Sequence, residues 1–430
     1  MNTNSKSVSP EFAALIGLDW GDRQHAVALW DHASQRVETS ILIHSPETLR
    51  AWLDELQARF KGRPLALALE TSKGPLVHLL MEIPWLTLFP IHPATSARMR
   101  KAFTPSGAKD DLPDSRVLLD VLRHHRDRLR PLLSEDVATR RLAGLSEARR
   151  RAVDHRTQLG NSLRCLLKGF FPQALELVGE QLYSPLALDF FGRWPTLPEL
   201  KASRPAAIKR FYHAHNVRRP EAVAKRLELI GNALALTTDE AIVFVSVRQL
   251  ELLVAELRLV QKHIERYEQE IDRAFAEHPE APLFRELPGA GKVLAPRLLA
   301  AFGTDRSRFA NASQFQCYSG IAPVTEKSGS RVWIHWRWNA PWFVRQTLIE
   351  WAGQSTLYCA WAKAYYEQQK ARGKGHWAIV RALAFKWIRI LWKCWSTNTP
   401  YDDATYLKAL AKRQSPLLTL CSTKKNQLFP

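Results

Sequence analysis

Short apolar runs alternate with polar turns over the first third of the chain. Three of them, ALIGLDWG at 14–21, QHAVALWD at 24–31 and RVETSILIH at 36–44, follow closely on one another, which predicts two successive β-hairpins. A helix is expected at 45–60, because SPETLRAWLDELQARF starts with a capping Ser-x-x-Thr and repeats apolar residues at helical intervals. The pattern then predicts a strand at 64–71, a helix at 74–83, a strand at 87–93 and a helix from about 112 to 130.

The predicted element order is β-β-β-α-β-α-β-α. Three antiparallel strands followed by alternating helices and parallel strands are the layout of ribonuclease-H-like (RuvC-like) nucleases. We therefore expect an α/β domain over 12–135.

Strand signals nearly disappear over 136–280, which predicts a helical insertion and a coiled-coil region. Residues 140–168 form a basic helix that includes Arg149, Arg150 and Arg151, and its charges suit either a nucleic-acid contact or an ordinary solvated face. Residues 245–278 repeat apolar positions for over thirty residues, so this helix needs a partner helix. The partner is expected in a helical hairpin or in a second subunit.

A mainly helical domain is predicted over 281–400, followed by a tail at 401–430. It opens with FRELPGAGKVLAPRLLAAFG, in which Pro-Gly-x-Gly lies between two helical segments. This resembles a helix-hairpin-helix element, whose glycine turn lets backbone N–H groups and Lys292 approach a phosphate. An ordinary helix-turn-helix corner in a core is the alternative.

The composition favours a nucleic-acid partner over a membrane. Sixty-one Lys and Arg against forty-two Asp and Glu give the 430-residue chain a net charge of +19. The start of the chain has no apolar signal-peptide region, and the most apolar segment, 376–395, is interrupted by four cations: Arg381, Lys386, Arg389 and Lys393. Five scattered cysteines without a C-x-x-C pair fit a reducing cytoplasm.

Four carboxylates are candidates for a metal site. Asp19 ends the first predicted strand and Glu70 the fourth, and these strands are neighbours in the expected sheet. Asp111 and Asp114 lie three residues apart at the start of the last helix of the domain, on one helical face. Such an oxygen-rich set suits two Mg²⁺ ions, with Mn²⁺ as a substitute. Asp111 is alternatively a helix N-cap before Pro113, and Asp110 is a rival for its place.

The segment RVWIHWRWNAPWFVR at 331–345 interleaves aromatic and basic residues. Indole faces and guanidinium groups together can stack on unpaired bases and neutralise phosphates. The alternative is a strand whose tryptophans face a core. The tryptophans are Trp333, Trp336, Trp338 and Trp342, and the arginines are Arg331, Arg337 and Arg345.

Several motifs together resemble one family. GLDWG, ALALET, KDDLPDS and, downstream, LPGAGKVLAPRLLAAFG and GIAPVTEKSGS are similar to the DEDD transposases of bacterial insertion sequences. These are the bridge-RNA-guided recombinases, the IS one-ten family with its IS eleven-eleven branch. The resemblance covers 14 to about 170 and 283 to about 356.

The resemblance implies roles for particular residues. An N-terminal RuvC-like domain would supply its Asp-Glu-Asp-Asp set from Asp19, Glu70, Asp111 and Asp114. A nucleophilic serine would be Ser328, with Ser330 a weaker candidate because only Ser328 directly precedes glycine. Two stretches depart from the family pattern. KDDLPDS differs from the family motif at its Thr, Arg and Ala positions but keeps the carboxylate spacing, and RVWIHWRWNAPWFVR differs after the serine.

The resemblance also implies a function: a transposase that recombines donor and target DNA through a serine-phosphate link. The implied partners are DNA, a bridge RNA and further copies of the chain in a dimer or tetramer, in the bacterial cytoplasm with the nucleoid. Two alternatives remain: a RuvC-like nuclease or junction resolvase that uses water and metal, and a non-catalytic nucleic-acid-binding remnant.

Overall fold

The computed structural model describes residues 12–103, 111–415 and 417, with the backbone alone of residues 103 and 111–113. The described chain divides into two compact units, 1–134 and 135–430. Each unit has its own arrangement of strands and helices and its own cores.

A mixed five-stranded sheet forms the centre of the first unit. Its order is β3-β2-β1-β4-β5, with β1 antiparallel to β2, β2 antiparallel to β3, and β1, β4 and β5 parallel. The central strands β1 and β4 are apolar and buried along almost their whole length, as expected of strands covered on both faces. The strands are β1 Ala14–Asp19, β2 Gln24–Asp31, β3 Val37–Ile43, β4 Leu65–Leu69 and β5 Leu86–Pro90.

Four helices accompany this sheet. Helix α1 starts as the sequence predicts, since the hydroxyl of Ser45 accepts a hydrogen bond from the backbone N–H of Thr48 at 3.2 Å. They are α1 Pro46–Phe60, α2 Pro75–Met81, α3 Pro93–Phe103 and α4 Asp111–His125, the last followed by a short 3-10 turn, Arg126–Arg128. The predicted ribonuclease-H-like order is confirmed, and α3 is an additional helix that the sequence pattern does not predict.

The second unit is almost entirely helical, apart from the hairpin strands β6 Val324–Ser328 and β7 Arg331–His335. A further short 3-10 turn spans Arg306–Arg308. The helices are α5 Val137–Phe170, α6 Gln173–Val178, α7 Pro185–Arg193, α8 Leu197–Lys201, α9 Pro205–Ala214, α10 Pro220–Asn232, α11 Glu240–Ala276, α12 Ala281–Arg285, α13 Gly291–Phe302, α14 Ala312–Tyr318, α15 Trp342–Tyr358, α16 Ala360–Ala371, α17 His376–Ser396 and α18 Asp403–Lys412.

Helices α5 and α11 pack together as a long hairpin and contribute to two hydrophobic cores. One end of the pair, with Leu163 of α5 and Leu257 of α11, joins the short helices α6–α10 in the core of the insertion. The other end, with Leu142 of α5 and Ile271 of α11, joins α12–α18 in the core of the C-terminal part. The apolar stripe of α11 is thus covered within its own chain, which favours the hairpin alternative over the subunit contact.

Four fully buried tryptophans lie in the C-terminal core. Trp387 and Trp395 come from α17, so the segment with the four interrupting cations is a central core helix that keeps its charges at the periphery. Trp351 and Trp361 pack against Trp387 with ring centroids 4.7 and 4.5 Å away. Within the described ranges, no helix combines the length and apolarity needed to cross a membrane.

Candidate functional site

Asp19 and Glu70 leave the sheet side by side. Leu18 of β1 is in register with Leu69 of the parallel strand β4, and the two carboxylate residues are the next positions along each strand. Neighbouring strands lie about 4.8 Å apart, so both side chains start from the same edge of the sheet. The strand neighbourhood expected from the sequence is confirmed, and both residues are half-buried.

Helix α4 approaches the same end of β1 very closely at Gly17. A Cβ built on Gly17 would lie 2.1 Å from the carbonyl oxygen of Ser115 and 2.5 Å from the backbone nitrogen of Leu119. Only glycine permits this approach of helix to strand. The contact holds the first turn of α4, which carries the buried Asp114, next to the strand that ends in Asp19.

Two residues of α3 contact the candidate carboxylates. Arg100 forms an ion pair with Asp114, with 2.5 Å between Nε and Oδ1. The hydroxyl of Ser96, itself buried, donates a hydrogen bond to Oε1 of Glu70. These partners were hard to predict, because α3 has few apolar residues and directly follows a strand; its main signal in the sequence is Pro93 at the first helical position.

Asp110 and the side chain of Asp111 lie outside the described residues. Among the side chains that the structure describes, no three Asp, Glu, His or Cys residues are grouped closely enough to hold a metal ion. The candidate donors are all carboxylate oxygens, which are the ligands that hard divalent cations such as Mg²⁺ prefer. Asp19, Glu70 and Asp114 come from elements that pack against one another. In this arrangement, however, Asp114 is neutralised by Arg100.

Ser328 is the last residue of β6, at the tip of an exposed hairpin. It pairs with Arg331 across a two-residue turn of Gly329 and Ser330. Gly329 has φ +57°, the sign that tight hairpin turns require at their first central position. Ser328 and Gly329 are thus part of a tight hairpin turn, and both Ser328 and Ser330 are exposed to solvent.

Three of the four tryptophans of 331–345 face solvent rather than a core. Trp333 is 65% exposed and Trp338 is 80% exposed, so the core-facing alternative is wrong for these two and for Trp342. Trp336 is half-buried between two guanidinium groups, with Arg345 and Arg381 at 4.8 and 4.3 Å from its ring centroid. Exposed indoles beside arginines are the arrangement that unpaired bases can stack on.

The cations proposed for nucleic-acid contact fall into two groups. Four of them are occupied within the chain. Arg149 pairs with Glu268, and Arg150 pairs with Asp154 and Glu350. Arg345 donates to the carbonyls of Arg337 and Trp338, and the half-buried Arg337 donates to the carbonyl oxygen of Ala322. The others are more open, since Arg151 and Arg331 are exposed and Lys292 has a side chain 88% exposed.

The Pro-Gly-x-Gly turn is packed against the core on one side and open on the other. Gly289, at φ +72°, lies against the backbone of α15, where a Cβ would come within 2.9 Å of the carbonyl carbon of Gln354. The indole N–H of Trp351 donates to the carbonyl oxygen of Pro288 at 3.0 Å. This side of the turn is therefore a core corner. Gly291, at φ +52°, has open space where its side chain would be.

Residues 16–172 match the DEDD transposase family of IS110, and residues 281–367 match the family described as Transposase IS116/IS110/IS902. The first match includes all four candidate carboxylates, and the second includes Ser328 and the glycine turn. A DEDD transposase domain implies catalysis with divalent metal ions in general.

Relatives from insertion elements align over nearly the whole chain. The mini-circle protein of IS117 and the 43.6 kDa protein of IS110, both from Streptomyces coelicolor, are 27% and 26% identical, with 90% and 91% of this chain and 95% and 96% of theirs covered. A 42 kDa protein of IS900 from Mycobacterium paratuberculosis is 24% identical over 90% of this chain and 97% of its own. The chain belongs to the IS110/IS116/IS900 family of transposases, enzymes of DNA phosphoryl transfer.

Proposed function

We propose that the chain is an RNA-guided, site-specific DNA recombinase that acts through a covalent serine-phosphate link at Ser328. Oγ of Ser328 attacks a DNA phosphodiester, the new Oγ–P bond forms as the P–O bond to a deoxyribose oxygen breaks, and the serine proton is lost while the leaving oxygen gains one. Attack by a DNA hydroxyl then reverses the link and joins a new strand. The observation that carries this proposal is the exposure of Ser328 at a hairpin tip beside exposed Trp and Arg residues.

The hairpin is suited to presenting a serine to a backbone phosphate. Its short turn holds Ser328 at the exposed tip, and Arg331 directly opposite Ser328 supplies a positive charge for the phosphate. Val332, Trp333 and Ile334 are exposed apolar residues in a ribbon of only two strands. Such a ribbon is marginally stable alone, so contact with nucleic acid would order it further.

The four carboxylates Asp19, Glu70, Asp111 and Asp114 are proposed to hold two Mg²⁺ ions. When bound, such ions stabilise the charge on the reacting phosphate and favour ionisation of the attacking hydroxyl. The chain's own contribution is to fix the donors: β1 and β4 place Asp19 and Glu70 together, and the contact at Gly17 positions the start of α4.

Ser328→Ala tests the covalent step. We expect the variant to lose both the denaturant-resistant protein–DNA adduct and recombination while its nucleic-acid binding persists, because only one exposed hydroxyl is removed. Ser330→Ala, two residues away in the same turn, is the matched control and should retain the adduct. An adduct lost only in Ser330→Ala moves the nucleophile, and an adduct that persists in both variants leaves metal-dependent hydrolysis by water as the mechanism.

Asp114→Asn tests the carboxylate site. Strand exchange should be abolished with DNA and RNA binding retained, since a ligand charge is removed at nearly constant size. Asp110→Asn should be much milder. Equal loss in both variants would show that Asp111 had been wrongly preferred over Asp110.

Guidance by RNA is proposed because the chain's charge suits nucleic-acid backbones rather than particular base sequences. A net charge of +19 favours phosphate contacts, and delegating sequence choice to base pairing is the solution of other RNA-guided systems. Sequencing of RNA that copurifies with the protein should reveal one element-encoded RNA with segments complementary to donor and target DNA. Random cellular RNA at that step would contradict guidance.

A dimer or tetramer with a shared active site is the remaining part of the proposal. The carboxylates and Ser328 belong to different parts of a long chain, so one subunit's carboxylates can serve another subunit's serine. Mixing Ser328→Ala protein with Asp114→Asn protein should then restore activity. If the mixture stays as inactive as either variant, each subunit completes its own site.

A further inference from the structure

A small cavity of about 180 Å³ lies between α5, α11 and the first turn of α13. Two buried polar side chains line it, Ser146 of α5 and Arg297 of α13, with residue exposures of 3% and 5%. Oγ of Ser146 and Nη2 of Arg297 make no hydrogen bond to any residue within the described part of the chain. Buried polar atoms are normally paired, so two of them beside one cavity point to an occupant that accepts hydrogen bonds.

The rest of the Arg297 side chain is firmly held. Nη1 pairs with Oε2 of Glu350 at 2.5 Å, and Nε donates to Oγ1 of the buried Thr347 at 3.2 Å. These contacts fix the plane of the guanidinium and leave Nη2 as the donor available to an occupant. Burial lowers the pKa of Arg297, the neighbouring charge of Glu350 opposes this shift, and the positive charges of Arg150 and Arg149 add to it. An added anion would relieve that repulsion.

The first turn of α13 borders the cavity. The helix begins at Gly291 without a side-chain cap, and Lys292 and Val293 of its first turn line the cavity. The N–H groups of a first helical turn have no acceptor within the helix and favour an anion through the helix dipole.

The charges around the cavity nearly balance. Arg149 is paired with Glu268, the Lys292 amine lies 4.0 Å from Asp272, and Arg297 is paired with Glu350. The donors that remain are Oγ of Ser146 and Nη2 of Arg297. A phosphodiester, which carries a single negative charge, disturbs this balance less than a phosphate monoester, which carries nearly two at neutral pH.

We propose that this cavity binds one phosphate group, with Ser146 Oγ and Arg297 Nη2 as hydrogen-bond donors, and that the phosphate is a phosphodiester of a nucleic-acid backbone. That the phosphate belongs to a nucleic acid rests on the proposed function. That the cavity binds a phosphate at all rests on the residues that line the cavity. Ser146 and Arg297 then form a buried phosphate-binding site beside the exposed Lys292.

The test compares Ser146→Ala with Ser162→Ala, an exposed serine on the same helix. Fluorescence anisotropy with a labelled single-stranded oligonucleotide at fixed salt measures affinity for a phosphodiester. Calorimetric titration with inorganic phosphate measures affinity for the free anion. We expect Ser146→Ala to weaken oligonucleotide binding about tenfold, the loss of one hydrogen bond to a charged group. Its thermal midpoint should not fall, because the hydroxyl has no partner in the free protein.

Arg297→Lys is the second variant, since it keeps the positive charge but removes the spare donor; it should weaken oligonucleotide binding as well. A lower thermal midpoint for Ser146→Ala with unchanged affinity would overturn the proposal and make the hydroxyl structural. Loss of inorganic phosphate binding with unchanged oligonucleotide affinity would overturn the phosphodiester assignment. Wild-type protein that binds inorganic phosphate but no oligonucleotide would refute the proposed function while supporting the cavity.

Discussion

Arg100 lies against Asp114, with 2.5 Å between its Nε and the carboxylate Oδ1. A guanidinium thus neutralises one of the carboxylates that we propose as metal ligands. Because Asp114 is buried, the ion pair stabilises this charge in the metal-free protein and must yield when a divalent cation binds.

Arg100→Gln should therefore change metal binding and stability in opposite directions. Without metal, loss of the ion pair to the buried Asp114 should lower the free energy of unfolding by about 2 kcal/mol. With Mg²⁺, the thermal midpoint should rise more in the variant than in wild type, because no cation has to be displaced. Differential scanning fluorimetry across a Mg²⁺ titration measures both effects. Arg98→Gln, exposed on the same helix, is the control, and equal Mg²⁺ shifts in all three proteins would contradict competition.

Gly17→Ala should destabilise the first unit and displace α4. The added methyl group would overlap with the backbone of Ser115 and Leu119, and overpacking of this kind costs about 1–3 kcal/mol or more. Urea unfolding measures the loss. Gly144→Ala is a useful contrast, since the helical Gly144 has nothing within 4 Å of its Cβ position and should gain about 0.5–1 kcal/mol. A neutral Gly17→Ala would mean that α4 shifts freely.

Exposed tryptophans should contribute to nucleic-acid affinity but not to stability. Trp333→Ala and Trp338→Ala should each weaken single-stranded DNA binding by about 1–3 kcal/mol if a base stacks on the indole. Their unfolding midpoints should stay at the wild-type value. Phe244→Ala, an exposed aromatic residue on α11, is the control and should bind normally. Equal affinities for all four proteins would remove the stacking role.

Acid should destabilise the second unit first through His278. The N–H of Glu280 donates to its Nδ1 at 3.1 Å, so Nε2 carries the proton and donates to Oγ1 of Thr139 at 3.0 Å, whose hydroxyl in turn donates to Asp136. Burial lowers the pKa of His278 below 6.5, and nearby carboxylates oppose the shift without reversing it. Protonation of Nδ1 would break the bond from Glu280.

The lowered pKa of His278 makes the stability of the fold depend on pH. The unfolded chain binds a proton to His278 at a higher pH than the folded chain does, so the stability from this residue is full above pH 6.5 and falls as pH drops below it. The hydrogen bonds from Thr139 and Thr304 outweigh burial and hold the pKa of Asp136 at about 2, so its contribution is lost only between about pH 4 and 2. Urea midpoints from pH 8 to 5 should therefore fall less in His278→Gln than in wild type. The exposed His263→Gln should follow the wild-type curve, and parallel curves for His278→Gln would exclude the mechanism.

The order of strand and helix patterns along the chain predicts which strands of the first unit are neighbours. Two hairpins followed by alternating strands and helices place β1 beside β4, and this alone brings Asp19 and Glu70 together. The pattern could not predict Arg100, because α3 has little apolar periodicity. It left the orientation of Trp333 open, because both faces of a two-stranded ribbon can be exposed. The cavity at Ser146 and Arg297 has no sequence signal, since those residues meet only through the packing of α5, α11 and α13.

The shared helices α5 and α11 also limit how the protein can vary over evolution. Leu142 and Leu163 lie on one continuous helix but in different cores, as do Ile271 and Leu257 on the other. Removal of the insertion by cutting at its borders would expose the apolar residues that both helices contribute to its core. An insertion moved between related transposases must therefore bring the α5–α11 hairpin with it. If the hairpin changes length, the change that this architecture tolerates best is a whole number of helical turns.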